Sequence, residues 1–232
     1  MQGLGGDFDG VANPNYTFDE STDYQYISSS LNLEESDKLR DQVKDLYEQY
    51  GYDYKEDIWD VNITGIRTPG KQVTNRFDDI IVITFKDESN TEQVYQFSIT
   101  TQPGTPWVKE PYITAGAAIL KPGQYVDAYK FGIHKDYEAI VDTKDLVVFR
   151  DPNRDLTYDD PDLPTQTGEF GINIHRSNPQ GTSKKVNKWS AGCQVFANSE
   201  DFKVFKGILQ KSYEYKGISK SEFRITYTLI EE

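Results

Sequence analysis

The chain is expected to fold as a β-dominated α+β domain, and three features of its 232 residues carry that expectation. Short apolar stretches with period-two alternation recur from Trp59 to the C-terminus; only two segments show helical periodicity; no internal repeat is visible. The 16 Tyr, 12 Phe and 3 Trp supply large buried areas per residue, so a 36% hydrophobic content still suffices for a core.

Residues 1–31 are rich in Gly, Asp, Asn, Ser and Tyr without periodicity and read as an extended arm or tail. Segment 32–55 carries the first helix. Asn32 or Ser36 can cap it, Leu39, Val43, Leu46 and Tyr50 share one face, and Gly51 stands where a left-handed cap is expected. The remainder, 56–232, is one domain. Alternation places strands at 59–66, 80–85 and 94–99, with Asp87-Glu-Ser-Asn90 as a hairpin loop between the last two. Further strands are expected at 125–132, 138–141 and 146–150. Residues 103–106, 121–123 and 151–164 are proline- and glycine-broken loops. Phe170–His175 alternates, with Ile172 and Ile174 on one face and Asn173 and His175 on the other. A second helix is expected from Ser199 to Tyr213 on the spacing of Phe202, Phe205 and Leu209, and Phe223–Ile230 closes the fold as a strand.

Charge narrows the function. With 25 basic and 38 acidic side chains the net charge is −13 and no basic cluster exists, which argues against nucleic acid or an anionic membrane surface as partner. No apolar run approaches the roughly 20 residues of a membrane span. The start, Met1-Gln-Gly-Leu-Gly-Gly-Asp, has neither a basic nor an apolar region of a signal peptide. One cysteine excludes an internal disulfide, and one cysteine with two histidines leaves few metal ligands. No metal and no cofactor is expected. Asp151, Asn153 and Asp155 have the spacing of a calcium loop. Leu156 replaces its glycine and Asp162 its final glutamate, so a solvated acidic loop is the reading.

Chemistry concentrates in Ile174-His175-Arg176 and, with fourteen residues between His175 and Ser190, in Ser190-Ala-Gly-Cys193. A thiol is a nucleophile as its thiolate, and a histidine in reach can take its proton and return it to a leaving amine. Ala191 and Gly192 leave room for backbone to approach a substrate. A buried, inert cysteine beside a structural histidine is the alternative on these residues alone.

The order His before Cys, with Ser-x-Gly-Cys after a gap of about fifteen, resembles the L,D-transpeptidase (YkuD-type) catalytic domain. The likeness extends over roughly 56–200, through Trp59–Arg67, Asn75–Asp79, Ile119–Tyr125, Gly132-Ile-His134 and Phe170–Phe196, which look like a branch found in bacterial and phage proteins. The resemblance implies a β-sandwich or barrel with an N-terminal helix and one helix after the catalytic cysteine. It implies Cys193 as nucleophile, His175 as base, Ser190 and Gly192 as supporting residues, and peptidoglycan stem peptides as substrate. His134, Arg176 and Trp189 are the candidate substrate-binding residues. The family usually has Gly after the histidine and Arg two after the cysteine; here these are Arg176 and Val195. Hydrolysis and transpeptidation therefore both stand open. Without a signal peptide the protein is expected in the bacterial cytoplasm until lysis, as a phage endolysin, or in a virion, with the arm 1–31 as the surface for virion or tail partners. A tail protein that binds cell-wall glycan or peptide without turnover is the rival reading.

Overall fold

A computed structural model describes residues 31–231; residues 1–30 of the expected arm 1–31 lie outside the described residues. Helix α1 (Leu33–Tyr50) starts on a capping box: Asn32 Oδ1 accepts the Glu35 N–H and the Glu35 carboxylate accepts the Asn32 N–H. Gly51, at φ 67°, ends it. Residues 51–55 of the expected helical segment are not helical; there Tyr52 and Tyr54 leave the axis and pack their rings edge-on against Tyr47.

The elements that follow are β1 (Asn62–Arg67), β2 (Asp79–Lys86), β3 (Glu92–Thr100), α2 (Thr105–Lys109), β4 (Ala117–Leu120), β5 (Gly123–His134) and β6 (Tyr137–Asp142). Then come β7 (Leu146–Asp151), β8 (Thr165–Gly168), β9 (Ile174–Arg176), β10 (Gln194–Phe196), α3 (Ser199–Tyr215) and β11 (Ile225–Glu231). Eight strands close into a barrel in the order β1-β11-β5-β6-β9-β10-β3-β2, while β4, β7 and β8 form a separate three-stranded antiparallel sheet. Closure leaves the barrel no unpaired edge. The β1–β11 and β9–β10 ladders are parallel and the other barrel ladders antiparallel. The fold is thus β-rich α+β with a barrel.

Phe97, Ile99, Tyr129, Ile174, Phe196 and Tyr227 meet in the main core, onto which α3 packs Phe202 and Phe205. Helix α1 covers another part of the barrel: Leu39, Val43 and Leu46 join Ile66, Val82 and Ile230, and Tyr47 Oη bonds Thr64 Oγ1 at 2.9 Å.

Five elements depart from what the alternation predicts. The first expected strand begins only at Asn62, because Trp59 takes a left-handed φ of 59° and stacks on Phe85 at 4.8 Å. Strand β9 holds Ile174–Arg176 alone, since Gly171 at φ 69° breaks the segment upstream. Helix α2 and strands β4 and β8 carry no periodic signal. The first is five residues with proline in its first turn, the second is wholly buried, and the third is polar.

Candidate active site around Cys193

Strand pairing brings the two halves of the motif together. Val195 of β10 is registered with His175 of β9, and Gln194 N–H donates to the Asn173 carbonyl, so Cys193 stands opposite Asn173. Alternation then puts Cys193 and His175 on one face of the ladder, as diagonal neighbours, which across a β-ladder stand roughly 7–8 Å apart at their Cα atoms. The other face belongs to the main core through Ile172, Ile174 and Phe196.

The turn before Cys193 depends on Ser190 and Gly192. Ser190 is fully buried; its Oγ donates to the Cys193 carbonyl at 2.8 Å and accepts the Gly192 N–H at 3.1 Å. Gly192 has φ 134°, and a Cβ there would come within 2.7 Å of the Ala118 carbonyl. A side chain at 192 would push the turn off β4. These two residues shape the loop and hold the cysteine; Gly192 also borders the cavity described next.

Cys193 lines a cavity of about 260 Å³ between the barrel and the small sheet. Its walls include Trp107, Tyr112, Ala118, Arg150, Phe170 and Gly171. The thiol is 8% exposed, donates to the Gly171 carbonyl at 3.5 Å, and is pushed up to about 11 by burial, partly offset by the Asn173 N–H directed at the sulfur.

His175 is 1% exposed and does not line this cavity. The reason is cover: His134 stacks on the imidazole with ring centroids 4.4 Å apart, and Tyr137 closes it edge-on. Nδ1 lies 2.8 Å from the Arg176 carbonyl and 2.9 Å from Tyr137 Oη. A carbonyl can only accept, so Nδ1 carries the proton and Nε2 keeps its lone pair. Nε2 is buried and has no partner among the described residues. Burial pushes the imidazole down to about 3, against the Arg176 carbonyl, with His134, Lys135 and Arg176 adding to the depression. Both members of the pair are therefore neutral at pH 7.

The three expected substrate-binding residues stand elsewhere. His134, with Nδ1 3.0 Å from Asn173 Nδ2, supports His175 and is not on the cavity wall; burial lowers its pKa. The Arg176 guanidinium stacks over Tyr137 at 4.0 Å and donates to the Ser177 carbonyl. Trp189 is 39% exposed and also off the wall, because Trp189 N–H is drawn back to the Val186 carbonyl in a turn. The aromatic wall is Trp107 stacked on Tyr112 at 4.6 Å, with Phe170. Tyr137, Asn173, Trp107 and Arg150 were not among the expected site residues. Tyr137 lay in view beside His134, but only the β5–β6 hairpin, which pairs His134 with Tyr137, brings both to His175.

The acidic loop uses its oxygens on itself. Asp151 Oδ1 accepts the Arg154 N–H, and Asp155 Oδ1 accepts the Thr157 N–H and hydroxyl. Among the described residues no three His, Cys, Asp or Glu side chains gather as a metal set, and no helix is long and apolar enough to cross a membrane. Comparison of the chain with family models, curated proteins and solved structures returns no match.

Proposed function

We propose that the chain is a cysteine-dependent acyl-transfer enzyme of L,D-transpeptidase type, with Cys193 as nucleophile and His175 as base, acting on peptidoglycan stem peptides. The observation that carries the chemistry is a thiol on a cavity wall sharing a ladder face with a buried imidazole whose Nε2 has no partner. The cell-wall substrate, and delivery at lysis or in a virion, rest on the motif resemblance.

Because thiol and imidazole are both neutral at rest, the proton moves as sulfur attacks. Cys193 Sγ bonds to the acyl carbon while its proton passes to His175 Nε2. Collapse of the tetrahedral adduct breaks the C–N bond, and Nε2–H returns the proton to the departing amine. A thioester remains. Water releases it as an acid, or an amine releases it as a new amide, and in either case the thiol regains its proton. The Nδ1–H bond to the Arg176 carbonyl holds the tautomer this sequence needs. Binding without turnover is favoured by one feature: the thiol donates to the Gly171 carbonyl and burial keeps it protonated to about pH 11. Incubation with purified muropeptides, read by mass, decides between them. Products lost in Cys193→Ala support the enzyme; no products from several wall chemotypes support the binding protein.

A further inference from the structure

Arg150, on β7, is the single charged side chain among the described residues on the cavity wall that carries Cys193. It is 7% exposed. Its Nε donates to Gln166 Oε1 at 2.8 Å and its Nη1 to the Gly116 carbonyl at 3.3 Å, and its plane lies over the Phe170 ring at 5.0 Å. Those three contacts fix the orientation of the fork, yet both acceptors are neutral. Among the described residues no carboxylate makes an ion pair with it. A guanidinium is permanently charged, and one shielded from solvent without a counterion carries an uncompensated cost. Beside it on the same wall, Trp107 has an indole N–H that is buried and unpartnered.

We infer that the cavity binds an acyl compound with a free carboxylate, which Arg150 receives through its unused N–H groups while the aromatic wall covers the rest. This rests on the acyl-transfer reading only for the fate of the ligand's carbonyl at Cys193; binding does not require turnover. A carboxylate fits better than a phosphate because one arginine supplies the whole positive charge and the other walls are apolar. The Trp107 N–H is the wall's donor for a neutral oxygen, an amide carbonyl of the same ligand.

The test is binding of N-acetyl-alanine, in each enantiomer, to the full chain carrying Cys193→Ala, which removes turnover. Its carboxamide and its phosphonate analogue are the comparison ligands. The carboxylate of one enantiomer should bind about 10- to 100-fold more tightly than its amide, the span expected for charge-assisted hydrogen bonds. Arg150→Met should reduce it to the amide's affinity, and Arg150→Lys should fall between. Equal binding of carboxylate and amide overturns the inference without any arginine variant, so a variant that fails to fold leaves the test intact. Tighter binding of the phosphonate, or no binding of either enantiomer at millimolar concentration, also overturns it. Failure of the enzyme reading is seen separately. Arg150-dependent carboxylate binding with no muropeptide products in wild type removes the enzyme and keeps the site; products formed equally well by Arg150→Met remove the site and keep the enzyme.

Discussion

Two arginines are buried among the described residues, and their surroundings differ in one respect. Arg67, on β1, is 0% exposed; its Nε donates to Thr101 Oγ1, its Nη2 to the Leu120 and Thr101 carbonyls, and its Nη1 lies 3.8 Å from a Glu231 carboxylate oxygen. Asp79 is close enough to feel its charge and accepts the Thr68 and Thr101 N–H groups and the Thr101 hydroxyl. Arg150 has hydrogen bonds and a ring but, among the described residues, no carboxylate. Where a buried charge serves the fold, the chain supplies its counterions; on the cavity wall it does not. The same contrast separates the histidine from the carboxylate: His175 is buried with Nε2 unbonded, while Asp79 is buried with both oxygens bonded.

The largest expected effect breaks the pair of arginines apart. Arg67→Met leaves Asp79 and Glu231 without their cation and should cost about 3–5 kcal/mol of unfolding free energy. Arg150→Met, with no carboxylate to orphan, should cost about 1 kcal/mol or less, with any gain from removing the charge offsetting two lost hydrogen bonds. Urea denaturation of both variants checks this. Equal destabilisation would remove the distinction.

The next expectation concerns turnover. Cys193→Ser and His175→Ala should each reduce muropeptide processing to background. An ordinary thiol would let high pH rescue His175→Ala near pH 9. Burial moves Cys193 up to about 11, so rescue should set in only as the pH approaches that value. Rate against pH for the variant, from 7 to 11, reads this directly; rescue complete by pH 9 would mean that the thiol is not held neutral.

Stability against pH sharpens the comparison further, because the two regions respond with opposite sign. The imidazole of His175 sits near 3 against an ordinary 6.5, so the unfolded chain takes up the proton first. Its stabilising share is complete above pH 6.5 and is lost as the pH falls toward 3. Asp79 is pushed up to about 6, first by burial, then by the Asp78 charge, against Arg67. Its share is complete below an ordinary 3.8 and is lost as the pH rises through 6. Between pH 7 and 4 each contributes on the order of 2–3 kcal/mol, in opposite directions. Relative to wild type, His175→Gln should therefore gain stability as the pH falls to 4, and Asp79→Asn should lose it. Parallel curves for the three proteins would show that neither group is perturbed.

The smallest effects distinguish the two tryptophans. Trp107→Phe removes the unpartnered N–H from the cavity wall and should weaken carboxylate binding severalfold, about one neutral hydrogen bond. Trp189→Ala should change neither binding nor stability by more than about 0.5 kcal/mol, as for an ordinary surface position. Titration calorimetry on both variants ranks them.

What the sequence determined by itself follows from local rules. The capping box of α1, the left-handed Gly51, the β2–β3 hairpin around Asp87–Asn90 and the phase of Phe202, Phe205 and Leu209 on α3 each depend on residues within a few positions of one another. The motif that holds His175 and Cys193 was legible as a spacing within one segment, whereas their sharing a ladder face came from the β9–β10 pairing. Tertiary structure decided what surrounds them. Closure of the barrel set β9 beside β10, the β5–β6 hairpin brought His134 and Tyr137 over the imidazole, and the β4–β7–β8 sheet carried Arg150 to the cavity. Arg150 gave no signal in the chain, where it is one of 25 basic residues at the end of an ordinary strand. A charge is distinguished by the counterions that reach it, and those are set by contacts between segments far apart in sequence.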